Sequence, residues 1–152
     1  MRITLVAVGR SRDDVFRDLY RHYAGRLAWD LEIREVAAGT ARDEGTRLRR
    51  EADTLLAAVP RGARTIALDE NGTDLDSRRL AGWIGRHRDD GARQFCLLVG
   101  GPDGLGEAVV GRCDLVLSLG RVTWPHMLVR GLVAEQLYRA ERILSGHPYH
   151  HG

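Results

Sequence analysis

Two short apolar runs in the last third of the chain constrain the fold most, because each of them ends directly in glycine. Residues 95–99 run into Gly100-Gly101-Pro102-Asp103-Gly104, and residues 115–119 run into Gly120. Continuous apolar runs of this length are typical of strands that are buried on both faces of a parallel sheet. A glycine lets a ligand approach the backbone, whose N–H and C=O groups can hydrogen-bond to the edge of a heterocycle. The sequence therefore predicts a ligand site at these two strand ends.

Apolar runs and helical patterns alternate along the whole chain. The predicted strands are residues 3–8, 31–36, 65–68, 95–99 and 115–117. A turn signal, Asp-Glu-Asn-Gly at 69–72, is predicted to end the third strand. Strands that alternate with helices indicate an α/β fold, here with a mostly parallel sheet and helices on both faces. In such sheets, ligands bind beyond the carboxyl ends of the strands.

The spacing of apolar side chains predicts four helices. The first is expected to be capped by Ser11, the second to stop at Pro60, and the third to cover residues 75–87. The last helix is predicted to have Pro125 in its first turn and Gly146 as its carboxyl-terminal cap.

Length and composition limit the class of protein. At 152 residues, the chain is predicted to form one domain, residues 1–152. The apolar runs fall far short of the roughly 20 residues that a membrane span needs, and residues 1–9 are typical of a strand rather than a signal peptide. Cys96 and Cys113 lie in or beside apolar runs and are expected to be reduced thiols. We therefore predict a cytoplasmic protein without a membrane segment.

Charge alone does not identify a partner. The formal net charge is only +2, which is too small to predict nucleic-acid binding, because steering depends on local patches. Arginine supplies the basic side chains, and its planar guanidinium group is suited to binding phosphate and stacking on bases. The codon preference of a GC-rich genome would produce the same bias. Four histidines lie near the carboxyl terminus, but no His-x-x-x-His pair is predicted to lie on a helix and no cysteine accompanies them, so no metal is predicted.

The glycine loop at 100–106 matches neither common nucleotide-binding fingerprint. It lacks the dinucleotide pattern, and no Lys-Ser/Thr follows it as a P-loop requires. On spacing alone, a simple turn and a ligand-binding loop therefore both stay open.

An ordered set of motifs, each weak by itself, resembles one known family. The motifs are Ile-Thr-Leu-Val-Ala-Val-Gly (3–9), Leu-Val-Gly-Gly-Pro-Asp-Gly-Leu (98–105), Leu-Ser-Leu-Gly-Arg-Val-Thr-Trp-Pro-His (117–126), Leu-Val-Arg (128–130), Glu-Gln-Leu-Tyr-Arg-Ala (135–140) and His-Pro-Tyr-His (147–150). Together they span the chain and resemble the ribosomal large-subunit pseudouridine N3-methyltransferases of the SPOUT superfamily.

The resemblance implies a SPOUT fold whose carboxyl-terminal segment forms a trefoil knot, which sequence periodicity does not reveal. It also implies a homodimer, S-adenosylmethionine as methyl donor, and the 23S rRNA of the assembled ribosome as substrate. Carried over by position, the cofactor contacts are Leu68, Gly100, Gly101, Leu119, Gly120, Arg121, Val122, Thr123 and Trp124.

The implied reaction transfers a methyl group to an imide nitrogen, which must first lose its proton. A positioned side chain or a water held by the carboxyl-terminal tail could take that proton. The candidates are Tyr149 and His150 in the tail and His126 at the start of the last helix. In a dimer, the tail of one subunit would complete the site of the other.

Basic side chains near the last helix are the candidates for contacts to the substrate. Arg130 is a candidate for stabilising the imidate, while Arg139, Arg142 and His147 are candidates for contacts to rRNA. The alternative for these arginines is an ion pair with a neighbouring glutamate of the same helix.

Two other function classes stay open. The first is a methyltransferase of the same fold that acts on a small nucleoside-like or heterocyclic natural product. The second is a cofactor-binding or structural dimer without catalysis, against which the complete 117–126 loop argues.

Overall fold

Strands and helices alternate along the chain in a computed structural model that describes residues 1–151. They are β1 (Arg2–Val8), α1 (Val15–Ala24), β2 (Asp30–Val36), α2 (Glu44–Ala57), β3 (Arg64–Asp74), α3 (Ser77–Asp89), β4 (Gln94–Val99), α4 (Glu107–Val110), β5 (Leu115–Ser118) and α5 (His126–Leu144). The five predicted strands and four predicted helices are confirmed. Helix α4 was not predicted, because a single turn is too short to show an apolar repeat.

The five strands form one sheet in the order β2-β1-β4-β3-β5, and every strand pairing in it is parallel. The predicted α/β class is therefore confirmed. Parallel strands place all their carboxyl ends at one edge of the sheet, which we call the carboxyl edge. The trefoil knot stays a prediction from the family resemblance.

A hydrophobic core lies on each face of the sheet, so helices cover both faces as predicted. On one face, Ile3, Leu5 and Ala7 of β1 belong to a core with buried residues of α3 and α5. On the other face, Val6 and Val8 belong to a core with buried residues of α2 and α4. The alternation of β1 side chains between the two cores is the period of two that a strand imposes. Burial on both faces is what makes its sequence continuously apolar.

Strand β3 continues through the residues that were predicted to end it. It runs on to Asp74, but its pairing with β5 shifts register between Leu68 and Thr73. Gly72 permits this path, because a Cβ there would lie 2.7 Å from the carbonyl oxygen of Val116. The turn prediction at 69–72 was therefore wrong: these residues form an irregularity inside the strand.

Two helix starts differ from the predictions. Asp14, not Ser11, caps α1, and its carboxylate accepts the N–H groups of Phe16 at 3.0 Å and Arg17 at 3.3 Å. Pro125 is the residue that precedes α5 rather than part of its first turn. Sequence patterns locate helices better than they locate their first residues.

The two cysteines are free thiols, as predicted. Burial raises the pKa of Cys96 to about 12, so this thiol is unreactive at neutral pH. Among the helices of residues 1–151, none is long and apolar enough to cross a membrane.

We expect two Gly→Ala substitutions in different helices to have opposite effects on stability. At Gly131 of α5, a Cβ would lie 2.6 Å from Cδ2 and 2.7 Å from Cγ of Leu19, so Gly131→Ala overpacks the contact between α1 and α5. We expect it to destabilise the protein by about 1–2 kcal/mol. At Gly82 of α3, the nearest atom is the mobile end of Arg86, so Gly82→Ala should stabilise by about 0.5–1 kcal/mol. Thermal unfolding measures both, and shifts of the same sign would contradict the packing described.

Candidate active site

A cleft of about 380 Å³ opens at the carboxyl edge, where β3, β4 and β5 end. Three loops line it: the irregular part of β3, the glycine loop after β4, and the segment between β5 and α5. We call it the strand-end cleft. Its lining residues are Leu68, Asp69, Glu70, Asn71, Val99, Gly100, Gly101, Pro102, Asp103, Gly104, Leu105, Leu117, Leu119, Gly120, Val122, Thr123, Trp124, His126 and Val129.

The cleft brings together most of the residues predicted to contact a cofactor. These are Leu68, Gly100, Gly101, Leu119, Gly120, Val122, Thr123 and Trp124. Arg121 is exposed and does not line the cleft. Val122 and Trp124 are also exposed, so the rim offers two large apolar side chains.

The irregularity in β3 builds one wall of the cleft. The Asn71 N–H donates to Oδ1 of Asp69 at 2.8 Å, a local contact within the irregular part of the strand. The Ser118 hydroxyl at the end of β5 lies 3.2 Å from the Glu70 carbonyl oxygen and accepts the Gly120 N–H at 3.1 Å. One serine therefore connects the β3 wall to the loop that follows β5.

The segment from Leu119 to Trp124 forms the adjoining wall, and a hydrogen bond links its two ends. The indole N–H of Trp124 donates to the Leu119 carbonyl at 3.1 Å, and the Thr123 hydroxyl donates to Oε2 of Glu70 at 3.1 Å. Gly120 has φ +101°, a left-handed conformation that favours glycine. The sequence 119–124 thus folds as a ring whose backbone groups border the cleft.

The glycine loop after β4 is equally compact. The Gly104 N–H donates to the Gly101 carbonyl at 2.9 Å. A Cβ at Gly100 would collide with the Gly104 carbonyl, so this position requires glycine. Asp103 pairs with Arg47 of α2 at 3.0 Å, which fixes the loop to the helix beneath it.

The charge of the cleft restricts its ligand. Three carboxylates, those of Asp69, Glu70 and Asp103, line it, and none of the lining residues described above is arginine or lysine. Such a lining suits a ligand with a positive charge and disfavours a phosphorylated nucleotide. Within residues 1–151, no group of three histidine, cysteine or acidic side chains could hold a metal ion.

His126 is the imidazole that lines the strand-end cleft. Desolvation and the nearby charge of Arg130 lower its pKa, while the charge of Glu51 acts in the opposite direction. His126 is therefore neutral at pH 7 and able to accept a proton.

Glu51 is a residue near the cleft that the sequence analysis missed. It is 5% exposed and lies on α2, where its Oε1 accepts the Gly39 N–H at 3.1 Å. Its Oε2 has no hydrogen-bond partner among the described residues and lies 3.6 Å from the Cβ position of Gly101. The available signal was its position one turn before Leu55, on the apolar face of the helix.

The carboxyl-terminal tail lies beside a second cleft of about 660 Å³, which we call the tail cleft. His150 lines it together with Ser77 and Gln136, and it shares Leu119, Gly120 and Trp124 with the strand-end cleft. The 119–124 ring is therefore a wall between His150 and the strand-end cleft.

The tail side chains form a network on α5. Nδ1 of His150 lies 3.2 Å from Nη1 of Arg139, and Arg139 pairs with Glu135. The Tyr149 hydroxyl donates to the same Glu135 carboxylate at 3.2 Å. Desolvation and Glu135 raise the pKa of Tyr149 to about 12, so the phenol keeps its proton at neutral pH. His147 is exposed and accepts the Tyr149 N–H at 3.2 Å.

Arg130 occupies a position that the sequence did not indicate. It is 3% exposed, and its guanidinium donates to the Val8 carbonyl at 3.0 Å, the Gly9 carbonyl at 2.8 Å and the Glu35 carboxylate at 2.5 Å. Its two terminal nitrogens thus donate to groups within the protein, and the predicted contact with an imidate stays a prediction.

The ion-pair alternative is realised for the other two arginines. Arg139 pairs with Glu135 at 2.5 Å, and Arg142 pairs with Glu141 at 2.6 Å. Arg142 also lies 5.1 Å from the Tyr138 ring centroid.

We expect Glu51→Gln to lower the pKa of His126 further. The carboxylate of Glu51 favours the imidazolium form, and the amide removes that charge with little change in shape. Titration of the His126 ring nitrogens by NMR measures the effect. Asp89→Asn, an exposed carboxylate at the end of α3, is the matched control and should leave the titration of His126 unchanged. A His126 pKa that is unchanged or raised in Glu51→Gln would contradict the coupling.

Comparisons with known proteins confirm the resemblance. A family model described as "Predicted SPOUT methyltransferase" matches residues 1–150. The ribosomal RNA large subunit methyltransferase H of Rhodospirillum centenum is 53% identical over 151 residues, 99% of this chain and 99% of the relative.

Solved structures share the fold at much lower identity. A probable methyltransferase from Bordetella pertussis Tohama I has a TM-score of 0.60 and 17% identity over 91% of this chain and 95% of its own. The SpoU methyltransferase AviRb of Streptomyces viridochromogenes, solved with AdoMet, has a TM-score of 0.51 and 15% identity over 93% of this chain and 58% of its own. The chain therefore belongs to the SPOUT family of methyltransferases.

Proposed function

We propose that this protein transfers the methyl group of S-adenosylmethionine to N3 of a pseudouridine in the 23S rRNA of the assembled ribosome. The full-length similarity to a ribosomal RNA large subunit methyltransferase is the observation that carries this proposal. The strand-end cleft supports it, because it gathers eight of the nine residues that the resemblance assigns to the cofactor. Such an enzyme would act in the cytoplasm, where ribosomes are.

The residues of the strand-end cleft fit this cofactor. S-adenosylmethionine supplies a methyl group on a sulfonium cation, already activated for in-line displacement. Asp69 and Glu70 offset the positive charge, and Leu68, Leu119 and Val129 offer apolar surface to a heterocycle. The backbone of Gly100, Gly101 and the 119–124 ring, including Arg121, would contact the remaining polar groups.

The chain's own contribution to catalysis is to orient the substrate and remove its proton. We assign the proton acceptor to His126, because it lines the cleft and its lowered pKa keeps it neutral. Glu51 lies close enough for its charge to favour the imidazolium that results.

The tail network would contact the substrate of a partner subunit, because the 119–124 ring separates it from the strand-end cleft of its own chain. With Nδ1 of His150 facing the Arg139 guanidinium, Nε2 carries the ring proton and can donate to a pyrimidine carbonyl. Tyr149 and Glu135 position Arg139. Arg142 and His147 lie near this network and would contact flanking rRNA.

A homodimer would place this tail at a partner's cleft. Val122 and Trp124 are exposed apolar side chains at the cleft rim, 61% and 40% accessible, which a second subunit or the substrate would cover. We propose that the tail of one subunit completes the site of the other.

Methyl transfer from labelled S-adenosylmethionine to ribosomes that lack this modification tests the function. We expect label in large-subunit RNA of assembled ribosomes and none in free nucleosides. The control reaction contains ribosomes that already carry the methyl group. Inert ribosomes, together with labelling of a small heterocycle, would contradict the proposal and favour the natural-product alternative. Inert substrates throughout, with no cofactor binding, would favour a structural dimer.

Substitutions in the tail should separate catalysis from cofactor binding. We expect Tyr149→Ala/His150→Ala to lower turnover by about 100-fold or more, while the Kd for S-adenosylmethionine, measured by calorimetry, stays within about twofold. His126→Ala is the comparison, because it should also remove the acidic limb of the pH–rate profile. Unchanged turnover in the tail variant would show that Tyr149 and His150 have no role in catalysis.

A further inference from the structure

We propose that a second groove binds the phosphate backbone of the RNA substrate. It lies at the first turn of α5, on the side away from the strand-end cleft. This inference rests on the proposed function. The groove has a volume of about 160 Å³ and lies between α1, β2 and α5. We call it the arginine groove and define it by Ser11, Arg12, Arg17, Tyr20, Arg21 and Arg130.

Three guanidinium groups of the arginine groove are available to an anion. Within the part of the chain that the structure describes, the side chains of Arg12, Arg17 and Arg21 have no hydrogen-bond or ion-pair partner. Arg17 and Arg21 are one helical turn apart, so they face the same side of α1. Unpaired guanidinium groups held on one face are suited to phosphate, which they bind through two parallel N–H bonds.

The two carboxylates that also line the groove are already occupied. Asp14 accepts two backbone N–H groups as the cap of α1. Glu35 accepts the Arg130 guanidinium and the Ser11 N–H. Four guanidinium groups and two carboxylates line the groove, and both carboxylates have partners within the protein. The groove therefore has a net positive charge.

Arg130 and Tyr20 carry hydrogen-bond donors and line the groove beside apolar side chains such as Phe16. Arg130 is buried there, and no described residue accepts a hydrogen bond from its Nε. Burial raises the pKa of Tyr20 to about 12, so its hydroxyl keeps its proton. Glu35 offsets the charge of Arg130, so the attraction of the groove for an anion comes mainly from Arg12, Arg17 and Arg21.

The place of the groove in the fold fits a substrate that also enters the strand-end cleft. Met127 lines the arginine groove, and the preceding residue, His126, lines the strand-end cleft. The two sites thus lie on different sides of the first turn of α5, and an α-helix with its side chains is about 10 Å across. Because the strand-end cleft has no arginine or lysine lining, contacts to the phosphates beside the target must come from outside it.

The test removes two charges from the groove and two from elsewhere. Arg17→Gln/Arg21→Gln leaves the buried Arg130 and every residue of both clefts intact. Arg61→Gln/Arg86→Gln is the matched control, because both arginines are exposed and lie near the amino ends of β3 and β4. The salt dependence of binding to protein-free large-subunit rRNA is measured first. KM for unmodified ribosomes and Kd for S-adenosylmethionine are then measured for the same proteins.

We expect the slope of log K against log salt to fall by about 1.4 in the groove variant, from two lost phosphate contacts on single-stranded RNA. At physiological salt, KM for ribosomes should rise on the order of tenfold, with Kd for S-adenosylmethionine unchanged. The control variant should match the wild type.

Equal salt slopes in the groove and control variants would overturn the proposal. A groove variant that loses affinity for ribosomes but not for protein-free rRNA would also overturn it, since the groove would then contact a ribosomal protein. A wild type that binds rRNA but does not methylate ribosomes would contradict the proposed function, while the slopes would still decide whether the groove binds RNA.

Discussion

The buried guanidinium of Arg130 is the contact on which the organisation of the carboxyl edge depends. It joins α5 to the ends of two strands, through the carbonyls of Val8 and Gly9 and the carboxylate of Glu35. Gly9 makes this backbone path possible, because its φ is +95°, a conformation that favours glycine. Removing one partner of such a pair would leave a buried charge without compensation, which is strongly destabilising. Arg130 thus fixes the start of α5, and with it the position of His126.

On the other side of the cleft, glycine residues allow backbone segments to approach each other closely. Gly72 lies against Val116, and Gly100 lies against Gly104. Because of these close backbone contacts, β3 and the loop after β4 both curve around the strand-end cleft. Ser118 and Trp124 then close the third loop with hydrogen bonds to backbone carbonyls. The cleft is therefore built mainly by backbone geometry, and the side chains set its charge.

Much of the fold and of the cleft could be predicted because both follow from local patterns. Strands buried on both faces give continuous apolar runs, and the residues after the runs at 95–99 and 115–119 do line the cleft. The turn predicted at 69–72 was wrong, because Asp-Glu-Asn-Gly also suits an irregularity that β5 holds within a strand. The partners of Arg130 and Glu51 could not be predicted. They depend on contacts between elements far apart in sequence, as between Arg130 and Val8. A charged residue on the apolar face of α2 was the signal for Glu51.

The small net charge of the chain conceals a separation of charge that matters for its chemistry. Carboxylates line the strand-end cleft, and unpaired arginines line the groove on the other side of α5. The proposed cofactor is a sulfonium cation and the proposed substrate has an anionic backbone, so a single site with one sign of potential would favour one and repel the other. A mixed site would instead pair its own charges and weaken both interactions. The first turn of α5 lies between the acidic cleft and the arginine groove. The arginines of the groove therefore do not line the cleft, and neither repulsion of one ligand nor pairing of the site's own charges arises. Arg130 lies between them, and Glu35 offsets its charge. The same buried contact that joins α5 to β1 and β2 therefore lies at the boundary between the acidic cleft and the arginine groove.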